Sequence, residues 1–158
     1  MKYSDPSTWH EGVSDYEVAM RPRPQLVQLV SSLIENHDSV LGHLNLKTPE
    51  VYFVRNLPED HVARYIDGTA PKLVLVLDAA RIARTAKKYG VNLVTAFEIT
   101  LLHEYGHAWL DAKFASDRPA DEEEEEVVEL FAQAYWRTAD VEGSSRVLEQ
   151  YAERLEDI

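Results

Sequence analysis

The chain has 158 residues, of which 45% are hydrophobic, and its formal net charge is -12. This length and apolar content are typical of one folded domain and exclude a largely disordered chain. A surface this acidic repels a phosphate backbone, so we do not expect nucleic-acid binding. There is no cysteine, so any metal site must be built from His, Asp and Glu.

Targeting and membrane segments are not evident in the sequence. The longest apolar runs are much shorter than the roughly 18 residues of a membrane-spanning helix. The first residues, "MKYSDPSTWHEG", lack the apolar block of a secretory signal. We therefore expect a cytoplasmic protein that does not enter a membrane, with residues 1–158 forming a single domain.

The N-terminal part of the chain is predicted to be irregular up to residue 23, because it is polar and interrupted by prolines. From Pro24 to Leu44 the apolar residues recur with the period of a helix, and a proline near the start suits the first turn. His37 falls on the apolar stripe of this helix. We interpret it as a core histidine rather than a metal ligand.

Three strands are predicted next. Glu50–Asn56 is rich in β-branched and aromatic residues, His61–Asp67 is a weaker candidate, and Lys72–Asp78 is strongly apolar. Residues 68–71, "GTAP", form a turn signal between the last two. This pattern favours an antiparallel hairpin.

The following helices have clear end signals. One helix begins at Ala79 and ends at Gly90, and Asn92 is placed to cap a second helix over Leu93–Asp111. This second helix is apolar on almost every side, which predicts a buried central helix.

Two more helices are expected in the C-terminal part, after a loop over residues 112–120. Asp121 is placed to cap a helix that begins with five consecutive glutamates, which suit a helix N-terminus. Ser144 or Ser145 is predicted to cap a final amphipathic helix. The expected fold class is α+β, with a small, mainly antiparallel sheet and a helical C-terminal part.

The C-terminal half of the central helix carries the motif "HEYGH", with His103, Glu104 and His107. Residues four apart lie on one face of a helix, so both imidazoles can reach one cation. Glu104 is rotated by roughly 100° from His103 and is better placed to act on a metal-bound water. At this composition, chance gives roughly 0.02 matches to such a motif.

This motif, on a buried helix that follows a strand hairpin, resembles that of the zincin group of zinc metallopeptidases. The motif covers five residues, and the wider order of helices and strands covers most of residues 24–158. The resemblance implies a Zn²⁺ ion on His103 and His107, a catalytic role for Glu104 as general base, and a peptide or protein substrate.

The third ligand distinguishes the zincin groups. The metzincin extension requires glycine and histidine where this chain has Leu110 and Lys113, so that group is excluded. Small single-domain gluzincins take a glutamate from a downstream helix, and their pattern places the ligand six residues before a phenylalanine. Matched to Phe131, the pattern implies Glu125 as the zinc ligand and Glu129 beside it.

Other ligands are left open by the residues themselves. Glu124 is an alternative if the helix is rotated slightly, and Glu129 is another. The upstream histidines also stay possible; they are His10, His37, His43 and His61.

Two further features are expected from the same resemblance. An edge strand should bind an extended substrate, and either His61–Asp67 or Lys72–Asp78 can fill this role. A hydrogen-bond donor should stabilise the oxyanion. The candidates considered on chemistry alone are Tyr65, Tyr105, Tyr135 and Tyr151.

The sequence therefore predicts a zinc-dependent metallopeptidase, in which Glu104 activates a metal-bound water. The alternative is a regulatory or binding protein that keeps the zincin fold and the zinc but has little turnover. Metal analysis and the Glu104→Gln variant would separate these hypotheses.

Overall fold

The computed structural model describes residues 3, 5–58, 61–67, 73–114 and 121–156. Six α-helices and four strands lie in these ranges. The helices are α1 Pro24–Asn36, α2 Asp38–His43, α3 Ala79–Tyr89, α4 Leu93–Lys113, α5 Glu122–Thr138 and α6 Val141–Glu156. The strands are β1 Glu17–Val18, β2 Pro49–Arg55, β3 Ala63–Asp67 and β4 Leu73–Leu77. The predicted α+β class is confirmed.

The sheet is mixed, and two of its three strand pairs are antiparallel, which agrees with the predicted mainly antiparallel sheet. Its strand order is β1-β2-β4-β3. The β1–β2 and β3–β4 pairs are antiparallel, but the central β2–β4 pair is parallel. All five residues of β4 are buried, which is typical of an interior strand covered on both faces. The predicted hairpin of β3 and β4 is confirmed, and it folds back so that β4 lies inside and β3 at the edge.

The sheet packs against helices on one face and against the N-terminal segment on the other. The second face is a small cluster around Val13, Tyr52 and Val76, against which Trp9 and Tyr16 pack. Residues 1–23 are thus not wholly irregular, because the described part contains two 3-10 turns and β1. The predicted turn at residues 68–71, Lys72 and most of the loop at 112–120 lie outside the described residues.

The predicted helix from Pro24 to Leu44 is broken into α1 and α2 at His37. The His37 ring is completely buried, Tyr105 Oη donates to Nδ1 at 3.1 Å, and Nε2 donates to Glu98 Oε2 at 2.9 Å. Burial lowers the pKa of His37 and outweighs the opposite effect of Glu98. The interpretation as a core histidine is confirmed.

The helix caps agree with the sequence except at α6. Asn92 and Asp121 accept backbone hydrogen bonds at the starts of α4 and α5, as predicted. The last helix, however, begins before Ser144 and Ser145, which are buried inside it. Asp140 takes the capping role instead, and its Oδ1 accepts from the Gly143 nitrogen at 3.1 Å. A Cβ at Gly143 would require this carboxylate to shift.

Helix α4 lies at the centre of the helical layer and packs against α1, α3, α5, α6 and β3. Within the described ranges, no helix combines the length and the apolar character needed to cross a membrane. Helices α4 and α5 pack closely together at Gly106. A Cβ there would lie 2.9 Å from Val128 Cγ1 and 3.5 Å from Leu148 Cδ2. Glycine at this position therefore lets α5 lie directly against the motif.

The Gly106→Ala variant is expected to destabilise the fold by about 1–2 kcal/mol. Overpacking of this size lowers the free energy of unfolding by roughly 1–3 kcal/mol. The better helix propensity of alanine offsets at most about 1 kcal/mol of this loss. Gly42→Ala is the matched control, since a Cβ at Gly42 meets no atom within 4 Å. Urea unfolding of both variants measures the difference, and equal stabilities would contradict the close packing at Gly106.

The pH dependence of unfolding should report on His37. The pKa of His37 is lowered in the folded protein. Below about pH 6.5 the unfolded chain therefore binds a proton at His37 that the folded protein does not bind. Stability is then lost as the pH falls, by at most about 1.4 kcal/mol per pH unit for one group. His37→Gln should make this slope shallower between pH 6.5 and 5. A slope identical to that of the parent would show that His37 is protonated in the folded state.

Candidate metal centre

Three side chains from two helices converge at one point. His103 and His107 lie on the same face of α4, and Glu125 comes from the first turn of α5. One ligand atom from each of these residues lies within 4.8 Å of the others. The group can therefore hold a metal ion, and the two helices must pack together to form it.

The distances within this group suit a small tetrahedral cation. His103 Nε2 and His107 Nε2 are 3.2 Å apart, and Zn–N bonds of about 2.0–2.1 Å in a tetrahedron separate two nitrogens by roughly 3.3 Å. Glu125 faces both rings, with Oε2 2.9 Å from His103 Nε2 and Oε1 3.1 Å from His107 Nε2. Both Nε2 atoms and one carboxylate thus point to the same place.

The outer nitrogen of each imidazole is held by a second carboxylate. His103 Nδ1 donates to Glu129 Oε2 at 3.0 Å, and His107 Nδ1 donates to Glu124 Oε2 at 2.9 Å. Such partners orient metal-binding imidazoles and make them more basic. The three glutamates considered as alternative ligands therefore occupy three different positions, with Glu125 between the rings and the others behind them.

The electrostatics follow from this arrangement of two histidines among carboxylates. Burial lowers the pKa of His103, but hydrogen bonds to Glu125 and Glu129 outweigh it and raise the pKa to about 9. Burial also lowers the pKa of His107, but hydrogen bonds to Glu124 and Glu125 outweigh this effect and raise the pKa to about 10. The two imidazoles in turn hold the pKa of Glu125 far below its usual range. The centre therefore favours positive charge between its carboxylates.

Glu104 lies beside the histidines but does not belong to their group. It is only 8% exposed, and it lines a cleft of about 500 Å³ together with His103, His107 and Glu125. Burial raises the pKa of Glu104, while the positive charges of the two histidines oppose this rise. A buried carboxylate with a raised pKa beside a cation site has the properties of a proton acceptor and donor.

The opposite wall of the cleft is the edge of the sheet. Residues 61–64, which lead into and begin β3, line it, and β3 is the last strand in the sheet order. Of the two strands considered for binding a substrate, β3 is at the edge of the sheet, whereas β4 is paired on both sides.

A second, smaller cavity of about 230 Å³ adjoins the cleft. Four residues line both spaces, namely Val62, Ile99, Thr100 and Glu129. Most of the other lining residues are apolar side chains of α3 and α4 and of the segment between these helices, including Ile82, Ala86 and Val91. The cleft therefore opens into an apolar side pocket.

Three of the four tyrosines considered for the oxyanion do not line the cleft. Tyr105 donates its hydroxyl hydrogen to His37, Tyr135 packs against the His37 ring, and Tyr151 is buried in the main core. The side chain of Tyr65 lies outside the described residues. Arg64 and Asp111 also line the cleft, and neither was predicted as a site residue. Asp111 had a signal, since it follows His107 by four residues on one helix face.

Substitutions of the acidic residues should separate their roles in metal binding. Glu125→Ala removes a ligand and is expected to weaken Zn²⁺ binding most. Glu124→Gln and Glu129→Gln keep a hydrogen-bond acceptor but lose the charge, so affinity should fall by about 10–100-fold. Calorimetric titration with Zn²⁺ measures the affinity of each variant and so tests this ranking.

Glu122→Ala is the matched control, because Glu122 is an exposed residue of the same acidic run. It should change the affinity by less than about fivefold, as expected for a charge near a helix start. The assignment fails if Glu125→Ala binds Zn²⁺ as tightly as the Glu122 variant.

Comparisons of this chain with protein-family models, with curated proteins and with solved structures gave no match. The resemblance to the zincins therefore depends on the motif and on the geometry of its side chains.

Proposed function

We propose that this protein is a zinc-dependent peptidase similar to the small gluzincins, with the metal held by His103, His107 and Glu125. The observation that carries the proposal is the convergence of two Nε2 atoms and a carboxylate beside the buried carboxylate of Glu104. Two imidazoles and one carboxylate are a frequent protein ligand set of catalytic zinc, which keeps a fourth position open.

The identity of the metal is inferred from the chemistry of the ligand atoms. Nitrogen ligands disfavour Mg²⁺ and Ca²⁺, which prefer oxygen, and the absence of thiolates leaves imidazole as the softer ligand. The carboxylates behind His103 and His107 are the usual partners of zinc-bound histidines. When bound, zinc would polarise a peptide carbonyl and make water more acidic.

The reaction assigns one task to Glu104. Its carboxylate takes a proton from water as the water oxygen forms a bond to the peptide carbon. The same proton then passes to the amide nitrogen as the carbon–nitrogen bond breaks, giving a carboxylic acid and an amine. A raised pKa suits both steps, since the group must accept the proton and release it.

The substrate is proposed to be an extended peptide. The outer edge of β3 pairs with no other described strand, and it forms the wall of the cleft opposite His103 and His107. Backbone groups at such an edge can bind a peptide strand of varied sequence. The adjoining apolar pocket is suited to a bulky apolar side chain of that peptide.

The Glu104→Gln variant tests the chemistry. It should bind Zn²⁺ within about twofold of the parent, because Glu104 is not one of the converging ligands. Hydrolysis of a mixed peptide digest by the zinc-loaded protein, followed by mass spectrometry, should fall by about 10²- to 10⁴-fold, the usual contribution of a general base.

Two results would contradict the proposal. Equal cleavage by the parent and Glu104→Gln would mean that another group acts as the base. Stoichiometric zinc in a parent protein that cleaves no peptide would favour the alternative of a zinc-binding regulatory protein.

A further inference from the structure

One exposed surface of this acidic protein combines positive charge with apolar side chains. Between Asp78 and Glu98 the chain has four cationic residues and no acidic one, although its formal net charge is -12. Seven large hydrophobic side chains are exposed among the described residues, and four of them lie in this same stretch; they are Tyr89, Val91, Leu93 and Val94. Such a concentration of exposed apolar side chains is typical of a binding surface.

The cations form a row along α3. Arg81, Arg84 and Lys88 are spaced by three and four residues, so they share one side of the helix. Arg81 already donates to two backbone carbonyls and lies 3.9 Å from the Asp78 carboxylate. Arg84 and Lys88 are exposed, and no described carboxylate pairs with either of them. Their charges are therefore available to a bound anion.

This row borders the apolar side pocket. Thr85 and Tyr89 line the pocket from the adjacent face of α3, and Val91 lines it from the segment between α3 and α4. Lys88 Nζ lies 5.4 Å from the centre of the Tyr89 ring, which places a cation beside the pocket wall. The pocket in turn adjoins the cleft of the metal centre. A peptide that extends from the cleft across the side pocket therefore reaches Arg84 and Lys88.

The acidic side chain of the pocket is already bonded. Among the described residues lining this space, Glu129 supplies the one carboxylate. Its Oε2 accepts from His103 Nδ1 at 3.0 Å, and its Oε1 accepts from Gln133 Nε2 at 2.9 Å. Both oxygens thus have partners at the metal centre or on α5, and the charge that α3 presents beside the pocket is positive.

We propose that the α3 surface, formed by Arg84, Lys88, Tyr89 and Val91, binds an acidic segment of a protein substrate. This inference rests on the proposed function. The occupant follows from charge complementarity, since carboxylates of the segment pair with the two cations. One apolar side chain of the same segment enters the side pocket between Tyr89 and Val91. Binding at this surface then raises the local concentration of the substrate at the cleft.

Two other occupants fit the surface less well. An anionic membrane would meet the whole protein, whose net charge of -12 repels it. A short peptide instead responds mainly to charges within about 8–10 Å, because more distant charges are screened. A second copy of this chain would present its acidic run at residues 121–126, but Glu124 and Glu125 of that run are engaged by histidines of the metal centre.

Fluorescence anisotropy with two labelled peptides tests the proposal. In the acidic probe a phenylalanine is flanked by two glutamates on each side, and in the neutral probe glutamines replace the glutamates. The zinc-loaded Glu104→Gln protein is titrated, so that cleavage does not disturb the measurement. We expect the acidic probe to bind about 3- to 10-fold more tightly at low salt, as for two exposed ion pairs. This preference should shrink as salt is added.

Substitutions in the same protein separate the charged and apolar parts of the surface. In Arg84→Gln/Lys88→Gln the acidic probe should bind no better than the neutral probe, because the remaining surface is acidic. Lys47→Gln/Arg146→Gln is the matched control and should keep the preference, since these exposed residues line neither the cleft nor the side pocket. Val91→Ser should weaken both probes alike, by about 2- to 5-fold, because it removes apolar contact. Urea unfolding shows whether each variant is folded.

Several results would overturn the proposal. Equal affinity for the two probes would do so, as would a preference that persists in Arg84→Gln/Lys88→Gln. Vesicles of phosphatidylserine and phosphatidylcholine provide the membrane test, and binding to them that depends on this row, without a preference for the acidic probe, would assign the surface to lipid. Sedimentation as an oligomer that this double substitution converts to a monomer would assign it to a second copy of the chain.

Failure of the proposed function gives a different result. If the protein binds no zinc, or if the zinc-loaded parent cleaves no peptide, while the preference for the acidic probe still depends on Arg84 and Lys88, the α3 surface stands as a peptide site and the peptidase assignment fails. If the parent cleaves peptides but the two probes bind equally, the peptidase assignment stands and the α3 surface does not select its substrate.

Discussion

The close approach of α5 to α4 at Gly106 is the contact on which the candidate centre depends. Val128 lies where a side chain at position 106 would otherwise be. Since Val128 follows Glu125 by less than one turn, the same contact places Glu125 between His103 and His107. It also sets Glu124 and Glu129 behind the two rings. A wider spacing between the helices would separate the imidazoles from all three carboxylates.

Charge compensation explains why these polar groups are tolerated within the helical layer. An isolated charge is expensive to bury, whereas paired charges with satisfied hydrogen bonds are much less so. Each imidazole here has a carboxylate at both nitrogens. Glu104 is different, because it is buried without forming one of these pairs. Burial therefore raises the pKa of Glu104. This raised pKa makes Glu104 suited to exchange protons.

The fold places the reactive side chains and the proposed substrate path on opposite walls of one cleft. Helix α4 packs against β3, so the edge of the sheet runs beside the face that carries His103 and His107. Arg81 and Asp78 at the start of α3 then fix the backbone that leads into β3. The middle of the motif is supported by Tyr105, which forms a hydrogen bond to His37 in the core. Within the motif, His103, Glu104 and His107 line the cleft, whereas Tyr105 and Gly106 pack against the rest of the fold.

Local signals in the sequence were sufficient for most elements and for part of the site. Asn92, Asp121 and Gly90 mark helix ends because caps depend only on nearby backbone groups, and His103 and His107 share a face because helical spacing is fixed. Other features depend on residues distant in sequence. The order of the strands, the break at His37 and the distinct positions of Glu124, Glu125 and Glu129 all follow from how the elements pack. The start of α6 differs from the prediction as well, because Asp140 caps this helix and Ser144 and Ser145 are buried inside it. Periodicity describes one helix at a time, whereas a cleft is formed between elements, and only their packing decides which side chains meet in it.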